Sequence, residues 1–200
     1  MSDQRTLTPV SSNPLEDKHG NMRPAISPCT TIAVPKQLFI REKAFSLKWE
    51  RFTVKDSNQS DIYVVRTRKY TTHPTIYVED MEGTLLAEVT KDLLEFLKVR
   101  HCYRIFFSGK QVATITRRLM QIGGDTFNIE FDEGQMTAQG SFFDFTYTFN
   151  QGDQVVAMVQ KAHFSWSGGD YQLNLYRDDA KFELLALAAL LTIDHSLQNI

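Results

Sequence analysis

The stretch FELLALAALLTIDHSL, Phe182 to Leu197, carries no charge between Leu184 and Ile193, and Thr192 is the only polar residue in that run. Wound at 3.6 residues per turn, its apolar side chains cover the whole helix circumference rather than one stripe. Such a helix belongs in a bilayer, against a partner, or inside its own domain. A bilayer span needs about 20 apolar residues, whereas Glu183 and Asp194 bracket a run half that long. A docking helix keeps a polar face, and Leu184, Leu185, Leu187, Leu190, Leu191 and Ile193 leave none. The interior is the destination that fits. With Phe182 and Leu197 the helix offers eight large apolar side chains. Their burial contributes on the order of 12–24 kcal/mol before entropy is subtracted, against a typical net domain stability of about 5–15 kcal/mol. Asp178-Asp179 suits the helix N-terminus, through capping and the macrodipole. A helix of about 17 residues is a rod of roughly 25 Å.

An enclosure for that rod is written upstream. From residue 38 onward the pattern has period two. Phe127, Ile129 and Phe131 alternate with Asn128 and Glu130, and Phe143, Phe145, Tyr147 and Phe149 alternate with polar residues. Turn signals at Asp56-Ser57-Asn58, Asp80-Met81-Glu82-Gly83, Ser108-Gly109, Asp132-Glu133-Gly134 and Asn150-Gln151-Gly152 separate the runs. Twelve strands are predicted, near 39–46, 51–55, 61–67, 74–79, 84–91, 101–107, 111–117, 126–131, 135–141, 144–149, 154–161 and 170–176. Pro74 suits a first strand position, where no ladder donor is needed. The links are short enough for antiparallel pairing throughout. Closing so many strands into a barrel removes the exposed edges and leaves a wide interior for the apolar helix to fill. The expected fold is therefore mainly β: a twelve-stranded antiparallel barrel enclosing a central apolar C-terminal helix.

A weak repeat runs through the strands. Leu86-Ala87-Glu88-Val89-Thr90-Lys91, Val112-Ala113-Thr114-Ile115-Thr116-Arg117 and Val156-Ala157-Met158-Val159-Gln160-Lys161 share a pattern, and each follows a turn and ends in a base. They read as the second strands of repeated hairpins.

Five of the six prolines lie in residues 1–35, and the first aromatic is Phe39. Residues 1–35 are expected to be a disordered Pro/Ser/Thr-rich tail, with residues 36–200 as the folded domain. Cys29 and Cys102 give no disulfide framework, which fits a reducing compartment. No signal peptide is visible, so a cytoplasmic location is expected, with peripheral membrane contact as an option. There is no phosphate loop, zincin helix or paired Cys motif. The histidines at 19, 73, 101, 163 and 195 lack metal-ligand spacing. Asp194-His195-Ser196 holds the letters of a catalytic triad, but adjacent helical residues point in different directions. Neither enzymatic activity, metal nor cofactor is expected.

Charge is distributed unevenly. Residues 36–118 hold 16 Lys/Arg and 10 Asp/Glu, a net +6, while residues 119–200 hold 3 and 11, a net −8. Such asymmetry points to a polyanion-facing surface. The candidate contacts for an anionic headgroup are Arg66, Arg68, Lys69, Arg100, Arg104, Arg117 and Arg118, which cluster at strand ends. If those ends share a rim, they form one patch.

The stretch Ser141-Phe142-Phe143-Asp144-Phe145-Thr146-Tyr147-Thr148, then Gln154 to Lys161, Phe164-Ser165-Trp166, Tyr171 and the apolar helix resembles the LURP-one-related family, with Lys43-Ala44-Phe45-Ser46 matching its opening strand. The resemblance spans residues 38–197 and implies a Tubby C-terminal-like barrel, distantly similar to phospholipid scramblases. It supplies no catalytic residues, and the scramblase-type calcium segment is not evident. It implies a non-enzymatic module binding anionic phospholipid, such as phosphoinositide. An alternative is a protein-interaction scaffold in stress or defence signalling, with partners taken through residues 1–35. A monomer is expected, and nucleic acid is not an expected partner.

Overall fold

The computed structural model describes residues 35–46, 49–68, 75–92, 102–121, 124–141, 146–161 and 171–198; at 41–46, 49–50, 52, 119–121, 161 and 197–198 it describes the backbone alone. The twelve strands are β1 (Lys36–Ser46), β2 (Trp49–Lys55), β3 (Asp61–Arg68), β4 (Thr75–Glu79), β5 (Leu85–Lys91), β6 (Cys102–Phe107), β7 (Lys110–Gln121), β8 (Gly124–Phe131), β9 (Gly134–Ser141), β10 (Thr146–Gln151), β11 (Gln154–Lys161) and β12 (Tyr171–Leu175), followed by α1 (Ala180–Gln198). Each strand pairs antiparallel with the next in sequence, and β1 pairs with β12 to close the barrel. The expected fold is the observed one. Residues 1–34 of the tail expected to be disordered, and Pro74, expected to open a strand, lie outside the described residues, as do Phe143 and Phe145.

Most strand bounds differ from expectation by one to four residues: β1 starts at Lys36 rather than 39, β2 at Trp49 rather than 51 and β8 at Gly124 rather than 126. β7 runs on to Gln121, past the predicted end at Arg117, because its pairing with β8 resumes beyond an irregularity between Arg118 and Gln121. β10 starts at Thr146, with the preceding predicted residues outside the description.

Strand alternation sorts the side chains. Leu38, Val54, Val65, Val78, Ile105, Ile115, Phe127, Phe149 and Leu173 point inward and are sealed from solvent. Ala87, Ala113 and Ala157 share that inward parity and are equally buried. Of these alanines, Ala87 on β5 and Ala113 on β7 stand on strands that α1 approaches. The helix is buried on every side: Ala186, Leu187, Ala188, Ala189 and Thr192 are inaccessible. Leu185, Leu190, Leu191, Ile193 and Phe182 are also buried, and Leu184 packs against the core partly buried. Thr192, the polar exception, donates its hydroxyl to the Ala188 carbonyl at 2.7 Å, so it adds no unmet donor. Asp179 caps the helix, its Oδ1 accepting from the Lys181 N–H at 2.9 Å.

At one place the wall itself is tight. A Cβ built on Gly140 of β9 would lie 2.0 Å from the Thr146 carbonyl oxygen and 2.7 Å from Cδ1 of Tyr147 on β10. Glycine is needed there for close backbone approach.

The two rims differ. The links at 56–60, 80–84, 108–109, 132–133 and 152–153, with 176–179 leading into α1, all fall on one end, the hairpin rim. Those segments hold eight carboxylates, Asp56, Asp80, Glu82, Asp132, Glu133, Asp153, Asp178 and Asp179, and one base, Arg177. α1 enters at this rim and runs toward the opposite one.

Candidate functional site

In a closed meander, neighbours in sequence are neighbours in space. The basic half of the sequence therefore becomes one continuous sector, β1 to β7, while β8 to β12 and α1 carry the acidic half. The links of the hairpin rim are mostly acidic, whereas the outer wall of that sector carries exposed bases.

The predicted contacts fall into different environments. Arg66 and Arg68 are exposed on the outer face of β3. Arg66 forms an ion pair with Glu79 on β4. Arg104 on β6 forms an ion pair with Asp92. It shares a ladder row with Arg68 through Thr75 and Thr90, three strand spacings or about 14 Å away. Arg118 is exposed on β7, its Nε and Nη2 lying 3.0 and 3.2 Å from the amide oxygen of Asn128 once that amide is turned to face it. Lys69 and Arg100 lie outside the described residues.

Arg117 departs from expectation. It shares the inward parity of Ala113 and Ile115, and its side chain is buried inside the barrel. There it pairs with the equally buried Asp125 of β8 at 2.7 Å and lies over the Phe127 ring at 5.9 Å. Arg117 and Arg118, adjacent in sequence, stand on opposite faces of the wall, so Arg117 leaves the surface set.

A residue absent from the sequence-based set takes its place. Arg51 of β2 is exposed, stands directly opposite Arg66 in the ladder, and makes no ion pair among the described residues. On its other side the register position is held by Lys43 of β1. Adjacent strands lie about 4.8 Å apart, so three consecutive strands place basic residues side by side. Like charges directly opposite destabilise a sheet, and Glu79 offsets only part of this. The signal was available as parity: once β2 and β3 are paired in register, positions 51 and 66 meet.

Inside the barrel, polar groups secure both ends of α1. At the hairpin rim, buried Glu183 takes an ion pair from Lys36 and accepts from the Tyr63 hydroxyl at 3.0 Å. Burial, reinforced by that carboxylate, pushes the Tyr63 hydroxyl well above the ordinary range. At the far end the Tyr171 hydroxyl donates to Asp194, and the Tyr103 ring meets the His195 ring edge-on at 6.2 Å. Asp194 and His195 thus face different partners, as adjacent helical residues must. Burial raises Tyr103 to about 12, with Arg117 opposing the shift. Tyr147 is raised by burial first and then by Asp125, again against Arg117. Its hydroxyl and the Ser196 hydroxyl are buried without a hydrogen-bond partner among the described residues.

Among the described residues, no group of three or more His, Cys, Asp or Glu side chains is arranged to hold a metal ion. No described helix is long and apolar enough to cross a membrane. The chain matches no curated protein. The model of the LURP-one-related family matches residues 36–193, from the first residue of β1 into the last turns of α1. A barrel closed around its own apolar helix, matched over nearly its whole length, places this chain in the LURP-one-related family.

Proposed function

We propose that this domain is a non-enzymatic binding module that takes anionic phospholipid headgroups, phosphoinositides included, at a cytoplasmic membrane surface. The observation that carries the reading is Arg51 set directly against Arg66 on the outer wall, with Lys43 next in the row and Arg68 two residues along β3. Like charges set directly opposite each other repel, Glu79 offsets only part of this through Arg66, and a further anion would be stabilised beside the pair. Guanidinium groups also match phosphate through paired hydrogen bonds. The acidic hairpin rim supports an approach through the wall, since that end would be repelled by an anionic bilayer.

Vesicle co-sedimentation tests the reading. A basic side chain near an anionic surface contributes about 1 kcal/mol. Reversing Arg51, Arg66 and Arg68 to Glu should therefore weaken binding to phosphoinositide vesicles by at least about a hundredfold. Wild type should leave neutral vesicles unbound and should release anionic ones as salt rises. Equal sedimentation with neutral and anionic vesicles would reject the proposal.

A further inference from the structure

Where α1 meets the hairpin rim, the barrel is not filled evenly. On one side of the β8–β9 hairpin, Arg177 closes the gap. It donates to Gln151 at 3.2 Å and pairs with Glu133 at 3.0 Å, and its guanidinium lies 4.6 Å from the centre of the Phe182 ring. On the other side, toward the β6–β7 hairpin, a cavity of about 260 Å³ remains. Its walls are Phe107, Val112, Phe131, Phe182 and Leu185.

Strand register accounts for the gap. The hairpins β2–β3, β4–β5, β6–β7 and β10–β11 each carry a register shift near this rim, whereas β8–β9 pairs without one. A bulge bends and twists its hairpin. The bulged β6–β7 hairpin therefore diverges from the straighter β8–β9 hairpin, and the extra residue, Val112, lines the opening.

The chemistry of the mouth selects a charge. Asp132, Glu133 and Asp179 reach its edge, with Lys110 and Lys181. Lys110 pairs with Asp132 at 3.2 Å, both side chains being well exposed, so the pair is worth little and yields easily. The partial positive charge of the helix N-terminus would favour an anion. Asp178 and Asp179 outweigh it, and the mouth itself holds three carboxylates, Asp132, Glu133 and Asp179, against two bases, Lys110 and Lys181.

We propose that this cavity is a binding site for a small amphiphile with an apolar ring or short chain and a cationic head. The volume is close to the lower end for small-molecule sites, about 300 Å³, so one or two rings fit and a long acyl chain does not. The site is separate from the basic wall, and its test is independent of lipid binding.

The test titrates the full chain with tryptamine and with indole-3-propionate, which present the same ring with opposite charge, read by isothermal calorimetry and by fluorine NMR of a fluorinated tryptamine. Tryptamine should bind at least tenfold tighter than the propionate. Val112→Trp, which fills the cavity from a half-buried position, should abolish tryptamine binding. The surface pair Asp132→Asn/Glu133→Gln should erase the preference for the amine; it keeps the test decisive if Val112→Trp fails to fold. Failure of tryptamine to bind, equal affinity for both probes, or binding unaffected by either variant would overturn the proposal.

Discussion

Replacing Arg117 by Met asks whether a strand-end arginine is part of the core. The two side chains of the Arg117–Asp125 pair are 9% and 10% exposed and meet at 2.7 Å inside the wall. Without Arg117, the Asp125 carboxyl is left buried without its partner and with little water to solvate it. Breaking a buried pair in this way costs about 3–5 kcal/mol. For a domain of this size that corresponds to a fall in Tm of about 6–20 °C. Asp125→Leu should cost a similar amount by orphaning Arg117. The double variant Arg117→Met/Asp125→Leu should recover most of the loss, because an apolar pair often replaces a buried ion pair at little cost. Urea denaturation followed by circular dichroism measures all four proteins, and an unchanged slope licenses the comparison. The expected coupling between the two sites exceeds about 2 kcal/mol, within the range for contacting residues. Vesicle binding per folded molecule should stay at the wild-type level. If Arg117→Met costs less than about 1 kcal/mol, or the two single losses simply add, the inward placement of Arg117 is refuted and it returns to the surface set.

Two further outcomes follow from the interior. Gly140→Ala drives a Cβ into the β10 backbone; the cost should reach about 3 kcal/mol, the upper end for overpacking, and an unchanged thermal melt would contradict that approach. Burial raises Tyr63, Tyr103 and Tyr147, Tyr103 to about 12. An unfolded tyrosine loses its proton near pH 10 while the folded one keeps it, so stability should be intact below about pH 10 and fall as pH rises toward and beyond 12. Urea midpoints from pH 7 to 11.5 should show this decline, and Tyr103→Phe should make it shallower; a curve flat to pH 11.5 would count against buried, protonated tyrosines.

Periodicity made the fold legible because two independent signals agreed. The all-round apolar Leu184–Ile193 run required an enclosure, and the alternating strands supplied one of matching size. Charge was harder to read. Net charge over residues 36–118 was visible in the sequence, but its division between faces depends on parity, and parity depends on where each bulge falls. The juxtaposition of Arg51 with Arg66 needs the β2–β3 register, which local sequence specifies poorly. The mouth cavity had no sequence signal at all: it arises from a difference between two hairpins, one shifted in register and the other not.

The repeat carries its own lesson about function. In Leu86–Lys91, Val112–Arg117 and Val156–Lys161, the small residue, the β-branched residue and the terminal base sit two apart. The first two therefore hold inward positions, and in the second copy so does the base, Arg117. Ala87 and Ala113 stand on strands that the helix approaches, Ala157, Val89, Ile115 and Val159 are buried in the same core, and Arg117 ends inside against Asp125. Tyr171 and Tyr147, also part of the family resemblance, point inward too. These residues encode the barrel and its internal helix, and they say nothing of what the surface binds. Under the proposed function, ligand choice is written in outward positions such as Arg51, Arg66 and Arg68. A relative with the same inward pattern but acidic residues at those three outward positions should fold identically and ignore anionic vesicles. A relative of that kind that still sediments with them would place the binding surface elsewhere on the barrel.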